Sequence, residues 1–470
     1  MAVRDDRLLV AVAVLASFVA FLDGSVVNLA LPAIQAELGG GLVTQQWVID
    51  GYLLTLGALI LVAGAISDTL GRLRVLRAGL VVFGLASLLC AVAPSGATLI
   101  AARCLQGLGA AFLVPSSLAM LNARFAGAEQ SRVIGIWTAW TGTAFVIGPL
   151  LGGLLVEGFG WRWVFAVNVV PLAVTLTIAG RLTDREVPPG GSIDVVGAAL
   201  TAIGLGGTVF AIIEQQRMGW TNPAILAGLI IGPVCLIAFC WWERHAAAPM
   251  VPAGIFAARN FAVGNLATVF LYAGVSLGMV LIALCLQETG RLSPAQAGLA
   301  TLPVPILSFF LAARFGELAG RYGPRRFMAV GPLIAAAGFG LMAVTTGNVW
   351  VQTVPGLVLF GIGLAVTVSP LTAAILAAVD PGQSGIGSAI NNAVARVSGL
   401  VAIAFAAVIV GGAMDLDGFR RGAIATAMLL MIAGVVSAVG IGDRVRDLSA
   451  PSPAAVAACS DRDGPPPAKR

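Results

Sequence analysis

Two residues of opposite charge, Asp23 and Arg103, each stand inside a long apolar run. A buried carboxylate or guanidinium is costly unless it is paired and hydrogen-bonded. A rise of about 1.5 Å per helical residue puts Asp23 about 12 Å and Arg103 about 9 Å below the same end of their runs, so they can meet. Burial favours the neutral acid and an arginine favours the anion, so a carboxyl held between the two changes its proton occupancy when either changes. The chemistry on offer is reversible proton binding. The plain alternative is a static pair that fixes two helices together. Asp50 lies slightly nearer the same end and is a further acid for the same work. Asn392 and Arg396 are four residues apart and share a helix face. With Asn28 and Gln106 they are candidates to line a cavity, although both of these amides could equally bond between helices.

Other chemistry is poorly represented. His245, the single histidine, sits near Glu243 in a polar stretch and reads as a loop residue. Cys90, Cys104, Cys235, Cys240 and Cys285 lie in apolar runs and Cys459 near the C-terminus, without zinc-ligand spacing, so no metal site and no disulfide framework is expected. No Gly-rich loop ends in Gly-Lys-Ser/Thr, which leaves no phosphate cradle for a nucleotide. No cofactor is expected.

The elements that carry these residues must be membrane helices. Of 470 residues, 59% are apolar and 10% charged, and mean hydropathy is +0.97. A soluble domain is about 25% charged, and a spanning helix needs about 20 mostly apolar residues. Such runs recur over residues 8–31, 47–67, 75–93, 97–121, 131–156, 162–181, 194–214, 223–242, 261–286, 294–315, 327–346, 349–377, 385–411 and 422–441, which makes fourteen expected spans. The first continues past Asp23 to Pro32 without a convincing cleavage site, and so reads as a retained helix rather than an export signal.

The net charge of +5 comes almost wholly from arginine, Lys469 being the single lysine. The arginines are scattered between apolar runs rather than gathered on a patch, which argues against nucleic acid. With the N-terminus inside, the inner loops carry Arg72, Arg74, Arg77, Arg124, Arg132, Arg181, Arg185, Arg244, Arg259, Arg321, Arg325 and Arg326. The outer loops carry Arg162, Arg217, Arg291, Arg420 and Arg421. This obeys the positive-inside rule and places both termini in the cytoplasm.

Two loops repeat a pattern. Gly64, Gly71 and Arg74 after the second span match Gly316, Gly323 and Arg326 after the tenth, 252 residues on. Removing about 60 residues for spans seven and eight leaves the length of a six-helix half, and paired six-helix halves are a known transporter plan. The expected division is 1–185 for the first half, 186–255 for two inserted helices, 256–442 for the second half, and 443–470 for a disordered cytoplasmic tail. The fold class is thus all-α and polytopic.

Four segments resemble the major facilitator superfamily, and within it the fourteen-helix drug:proton antiporters. They are the loop with Gly64, Asp68, Gly71 and Arg72; Asp23 to Pro32, with Ser25 where threonine is usual; Arg103 to Pro115, with Gln106, Gly107 and Gly109; and Gly142 to Gly153, with Gly148, Pro149, Gly152 and Gly153. Trp161 to Asn168 also fits. The resemblance covers the chain to about residue 441. It implies that Asp68 latches one conformation, that Arg103 takes part in proton transfer, and that the Gly148–Pro149 segment marks an exporter. Gly320 stands where the second latch aspartate would be, so that latch is expected to be weaker.

The implied protein is a monomeric transporter in the inner membrane that exchanges external protons for internal hydrophobic or amphipathic molecules. Its partners are the substrate, protons and the lipid bilayer. A proton symporter importing a solute is the nearer rival, and a membrane-embedded sensor or enzyme the more distant one. The topology is directly checkable: reporter fusions at residues 190, 218 and 250 are expected to read inside, outside, inside. A cytoplasmic signal at 218 removes the two-helix insertion.

Overall fold

Hydrocarbon offers the backbone no hydrogen-bond partners, so a chain this apolar must satisfy its own N–H and C=O groups within helices. The computed structural model describes residues 2–125, 127–183, 194–246, 253–344, 349–379, 384–412 and 414–442, and among these no strand forms. The expected tail, 443–470, and most of the expected junction at 185–186 lie outside the described residues.

The first five helices are α1 (Ala2–Leu38), α2 (Gly41–Leu70), α3 (Arg72–Ala91), α4 (Gly96–Arg124) and α5 (Gly127–Phe159). Two short helices, α6 (Arg162–Ala166) and α7 (Val169–Gly180), share the sixth segment. An antiparallel pair follows, α8 (Val195–Met218) and α9 (Pro223–Glu243). Then come α10 (Arg259–Leu284), α11 (Pro294–Thr301), α12 (Pro303–Tyr322), α13 (Pro324–Ala343), α14 (Val349–Ala377), α15 (Ser384–Ala404), α16 (Ala406–Val410) and α17 (Leu416–Gly440). Each of the fourteen expected segments falls on a helix or a broken helix. Counted over the described residues alone, twelve of them are long and apolar enough to cross a membrane. The other two are α2 and α15, the latter contributing a shorter apolar stretch, Ile390–Ala404. The expected junction at 255–256 falls inside a 3₁₀ turn, Ala253–Ala257.

The helix breaks have local causes. Pro171 has no N–H to give the carbonyl of Val167, and just before it the turn is tight, with Asn168 N–H bonding back three residues to Phe165 at 3.2 Å. A π turn, Cys285–Thr289, follows α10, with Gly290 N–H donating to the Cys285 carbonyl at 2.8 Å. The repeated loops reduce to a single geometry. Gly71 (φ 97, ψ 125) separates α2 from α3, and Gly323 (φ 86, ψ 147) separates α12 from α13. Positive φ at both is the reason the two loops share a glycine at that place.

We name the two ends of the bundle by the glycines Gly40 and Gly71. At the Gly40 end, the first group of six segments is held to the second. The Gln45 amide donates to Glu288 Oε1 in the π turn (3.2 Å), and Gln46 donates to the carbonyls of Ile403 and Ala404 (both 2.8 Å), where α15 breaks. Glu157 on α5 accepts from Ser293 Oγ (2.6 Å) and Ala295 N–H (3.1 Å). Backbones nearly touch beside it. A methyl at Gly153 would lie 2.4 Å from the Pro294 carbonyl oxygen, and one at Gly298 2.3 Å from that of Pro149. Gly148 and Gly152 serve a different seam. They face Ser25 and Val26 of α1, so this glycine motif packs α5 against both α1 and α11.

The α8–α9 pair is zipped through small residues, a common way for membrane helices to pack. A methyl at Gly228 would meet the Gly207 carbonyl at 2.7 Å, and one at Gly232 the Thr208 nitrogen at 2.7 Å. The pair joins the rest through Trp47 Nε1, which donates to Glu214 at 2.9 Å, and through an apolar cluster of Val43, Val209, Ile212, Ile213, Leu400 and Ala404.

The seam of α2 and α4 is equally tight and carries the site described next. At Gly107, an added methyl would lie 2.3 Å from the Tyr52 carbonyl oxygen and 2.1 Å from Thr55 Oγ1. Overpacking of this kind costs about 1–3 kcal/mol. Gly107→Ala is therefore expected to lower the unfolding temperature in detergent. Gly135→Ala, where a methyl meets nothing within 4 Å, is expected to melt with wild type.

Candidate functional site: a buried acid and its arginine

Asp23, in the middle of α1, and Arg103, two turns into α4, are 0% and 1% exposed. Arg103 Nη1 donates to Asp23 Oδ2 at 2.6 Å and to Gln106 Oε1 at 2.6 Å, and its Nε donates to the Val48 carbonyl at 2.8 Å. The second carboxylate oxygen, Oδ1, accepts from the amides of Gln106 (2.9 Å) and Asn168 (2.8 Å). Gln106 also donates to Ser87 Oγ at 2.9 Å. Five segments thereby meet at one carboxylate: α1, α2, α3, α4 and the break between α6 and α7. Aromatic rings complete the shell, with the guanidinium carbon 4.4 Å from the Tyr52 ring centre and 5.6 Å from that of Phe165. A planar cation stacks well on such faces.

The sequence-based expectation that Asp23 and Arg103 share a depth matches this contact. Of the two alternatives left open for Gln106, the structure has the bond between helices. Its amide is fully buried and committed to Asp23, Arg103 and Ser87, so it does not line a cavity. Asn28 is half-buried and has no side-chain hydrogen bond among the described residues. Asn392 and Arg396 are half-buried on α15. The neighbouring Asn391, which sequence reading passed over, instead bonds Asn265 (3.2 Å) and Thr268 (2.9 Å) on α10.

Asp50 is fully buried, and neither of its oxygens has a partner among the described residues. It does not join the Asp23 cluster. A carboxylate without a partner in an apolar surround is costly, which sets Asp50 apart from the fully bonded Asp23.

Asn168 was legible only as part of a motif, and its role could not be read from it. The signal was Pro171, which breaks the helix and aims residue 168 inward. Ser87 and Tyr52 gave no signal beyond their polarity in apolar runs. For the loop motif, Gly71 forms the turn and Arg72 is engaged, while the Asp68 side chain lies outside the described residues. Added methyls at Gly64 and Gly320 meet nothing within 4 Å, whereas Gly316 faces Ser369. His245 is exposed and stacks on Trp241. Among the described residues, the five cysteines are free and no cluster of three metal-ligating side chains occurs.

A bundle of apolar helices in two groups, with an ion pair sealed inside one of them, is the architecture of a multi-pass membrane protein. The chain belongs to the Major Facilitator Superfamily, whose family description matches residues 13–399 and 264–460. It is 35% identical over 405 residues to a puromycin resistance protein of Streptomyces alboniger, covering 83% of this chain and 78% of that one. It is 32% identical over 396 residues to a methylenomycin A resistance protein of Bacillus subtilis, covering 83% and 84%. A multidrug resistance protein of Mycobacterium tuberculosis is 33% identical over 392 residues, covering 82% and 72%. Among solved structures, a peptide transporter in complex with sulfate shares the fold with a TM-score of 0.69 at 15% identity, covering 92% and 93%. The Escherichia coli xylose transporter does so with a TM-score of 0.62 at 13% identity, covering 91% and 97%.

Arg103 makes three bonds in fixed directions, which a lysine cannot reproduce. Arg103→Lys keeps the charge but leaves acceptors unmet, at about 1–3 kcal/mol each when buried. It is expected to lower the unfolding temperature clearly. Adding Asn168→Leu is expected to cost less in this background than in wild type, because both act on Asp23. Additive losses would mean that the cluster does not act as a unit.

Proposed function

We propose that this protein exports hydrophobic or amphipathic small molecules, antibiotics among them, in exchange for protons. The observation that carries the proposal is the Asp23 carboxylate, sealed from solvent and held by one cation and two amides on separate helices. The named relatives, which are antibiotic and multidrug resistance proteins, supply the cargo class. Nothing in the cycle calls for a cofactor, and the proton gradient is the energy source. One charge crossing 100 mV is worth about 2.3 kcal/mol, which supports a concentration ratio of roughly fifty, since about 1.4 kcal/mol is tenfold.

In this reading a proton reaching Asp23 removes the charge that holds Arg103, Gln106 and Asn168. The guanidinium then relies on Val48 and its aromatic neighbours, and α1 is released from α4 and from the α6–α7 break. Loss of the proton restores the cluster. Asp50 is the second acid on this path. The cavity lies between the six-segment halves, with Asn28, Asn392 and Arg396 facing it. The chain works as a monomer in the cell membrane. All fourteen segments cross it, with both termini in the cytoplasm and the Gly40 end outside. The bonds of Gln45, Gln46 and Glu157 then belong to a state closed to the outside. The Gly71 loop with Asp68 and Arg72 acts at the inner side, where the Gly323 loop is the weaker counterpart.

Flux in proteoliposomes tests the proposal. Wild-type protein with an imposed pH gradient is expected to accumulate a hydrophobic substrate against its gradient. Asp23→Asn, which cannot release a proton, is expected to lose that accumulation while retaining downhill exchange. Initial rates between about pH 5.5 and 8.5 are expected to flatten in this variant. A pH profile unchanged from wild type in an active Asp23→Asn protein would remove Asp23 from proton coupling and turn attention to Asp50. A stable wild-type protein that moves no substrate under a gradient would sink the exporter reading itself.

A further inference from the structure

Arg396, half-buried on α15, stands out because no acid pairs with it among the described residues. It lies on α15, yet its guanidinium carbon is 5.6 Å from the ring centre of Phe21 on α1, so it reaches from the second half to the first. Its Nε is buried and donates to nothing among the described residues. The ion pairs found among those residues join Arg103, Arg124, Arg162, Arg217 and Arg321 to acids, and none includes Arg396.

The acids nearest in the fold are not its partners. Asp23 is two residues from Phe21, but Oδ2 is taken by Arg103 and Oδ1 by Gln106 and Asn168. Asp50 has no partner at either oxygen. Tyr52 and Tyr272 are close enough to feel the charge, but neither is an acid at neutral pH. A cation inside a membrane protein is expensive unless it is paired, and an unpaired one marks a binding function by default. The face of Phe21 offsets part of the cost but leaves the guanidinium donors unspent.

The surroundings describe what would complete the site. Phe21 also packs against Phe145 (5.6 Å between ring centres) and Trp137 (6.4 Å), and Phe145 is about half exposed. A guanidinium fork with free donors beside three aromatic rings is complementary to a planar or apolar body carrying one anionic group. The fork matches a carboxylate in two parallel bonds.

Resting on the export reading, we propose that Arg396 is the anion-recognition residue of the transport cavity and that the preferred cargo is an aromatic or apolar compound bearing a single acidic group. The cargo then supplies the counter-charge that the fold withholds. Its anion neutralises Arg396 while its apolar body covers Phe21 and Phe145.

A matched set on one aromatic scaffold tests this: a carboxylic acid, its methyl ester and the corresponding amine. Equilibrium binding to purified protein and flux in proteoliposomes are measured for wild type, Arg396→Gln and Arg396→Lys. Wild type is expected to bind the acid at least tenfold more tightly than the ester. Arg396→Gln is expected to collapse that preference to within twofold, and Arg396→Lys to recover part of it. Equal weakening of all three ligands in Arg396→Gln would make Arg396 a packing residue and overturn the proposal, as would a wild type with no preference for the acid. Acid-selective binding without uphill flux would leave the Arg396 assignment standing and remove the export reading instead.

Discussion

The Asp23–Arg103 contact governs how the first six segments fit together. A carboxylate and a guanidinium, both stripped of solvent, are tolerable only where every remaining lone pair and N–H is met. That requirement recruits Val48, Gln106, Asn168 and, through Gln106, Ser87. It also explains features that look unrelated. The Pro171 break exists where Asn168 must turn toward α1, and the tight α2–α4 seam at Gly107 sets the distance at which Arg103 meets the Val48 carbonyl. The cluster is strong while the acid is ionised and incomplete once it is protonated. A transporter can use that asymmetry, because a single proton alters contacts on several helices at once.

The second half has no equivalent pair among the described residues. Its polar core is the neutral group of Asn391, Asn265 and Thr268, and its half-buried Arg396 has no acid and a buried Nε without an acceptor among the described residues. The two halves share a backbone plan, shown by the matching glycine turns at Gly71 and Gly323, but not their electrostatics. The buried ion pair lies in one half, and a guanidinium without an acid among the described residues reaches it from the other. The halves are joined at the Gly40 end by side-chain amides, by carboxylates and by two backbone approaches at Gly153 and Gly298 that admit no side chain.

The α8–α9 pair is attached differently. Its own helices are zipped by glycines, whereas its hold on the rest passes through Trp47, Glu214 and one apolar cluster against α2 and α15. Trp47 and Gln46 are consecutive, so the residues that tie α2 to the insertion and to the second half belong to one turn. Movement at that turn is felt by both.

The sequence by itself determined the class of the protein, because apolar runs of about 20 residues leave the backbone one solution in lipid. It also determined the positions of the helices, the repeat of the Gly71 and Gly323 loops, and the shared depth of Asp23 and Arg103, since depth along a helix follows from counting residues. Counting cannot give the azimuth of a side chain around its helix or the partner helix that it faces. For that reason the sequence leaves Gln106 between cavity and core, does not set Asn391 apart from Asn392, and shows Asn168 as a motif residue without showing its bond to Asp23. Tertiary structure decided those points by bringing together five segments whose side chains complete one another's hydrogen bonds. It also left Asp50 and Arg396 unpaired among the described residues, which depends on the neighbours that other parts of the chain supply.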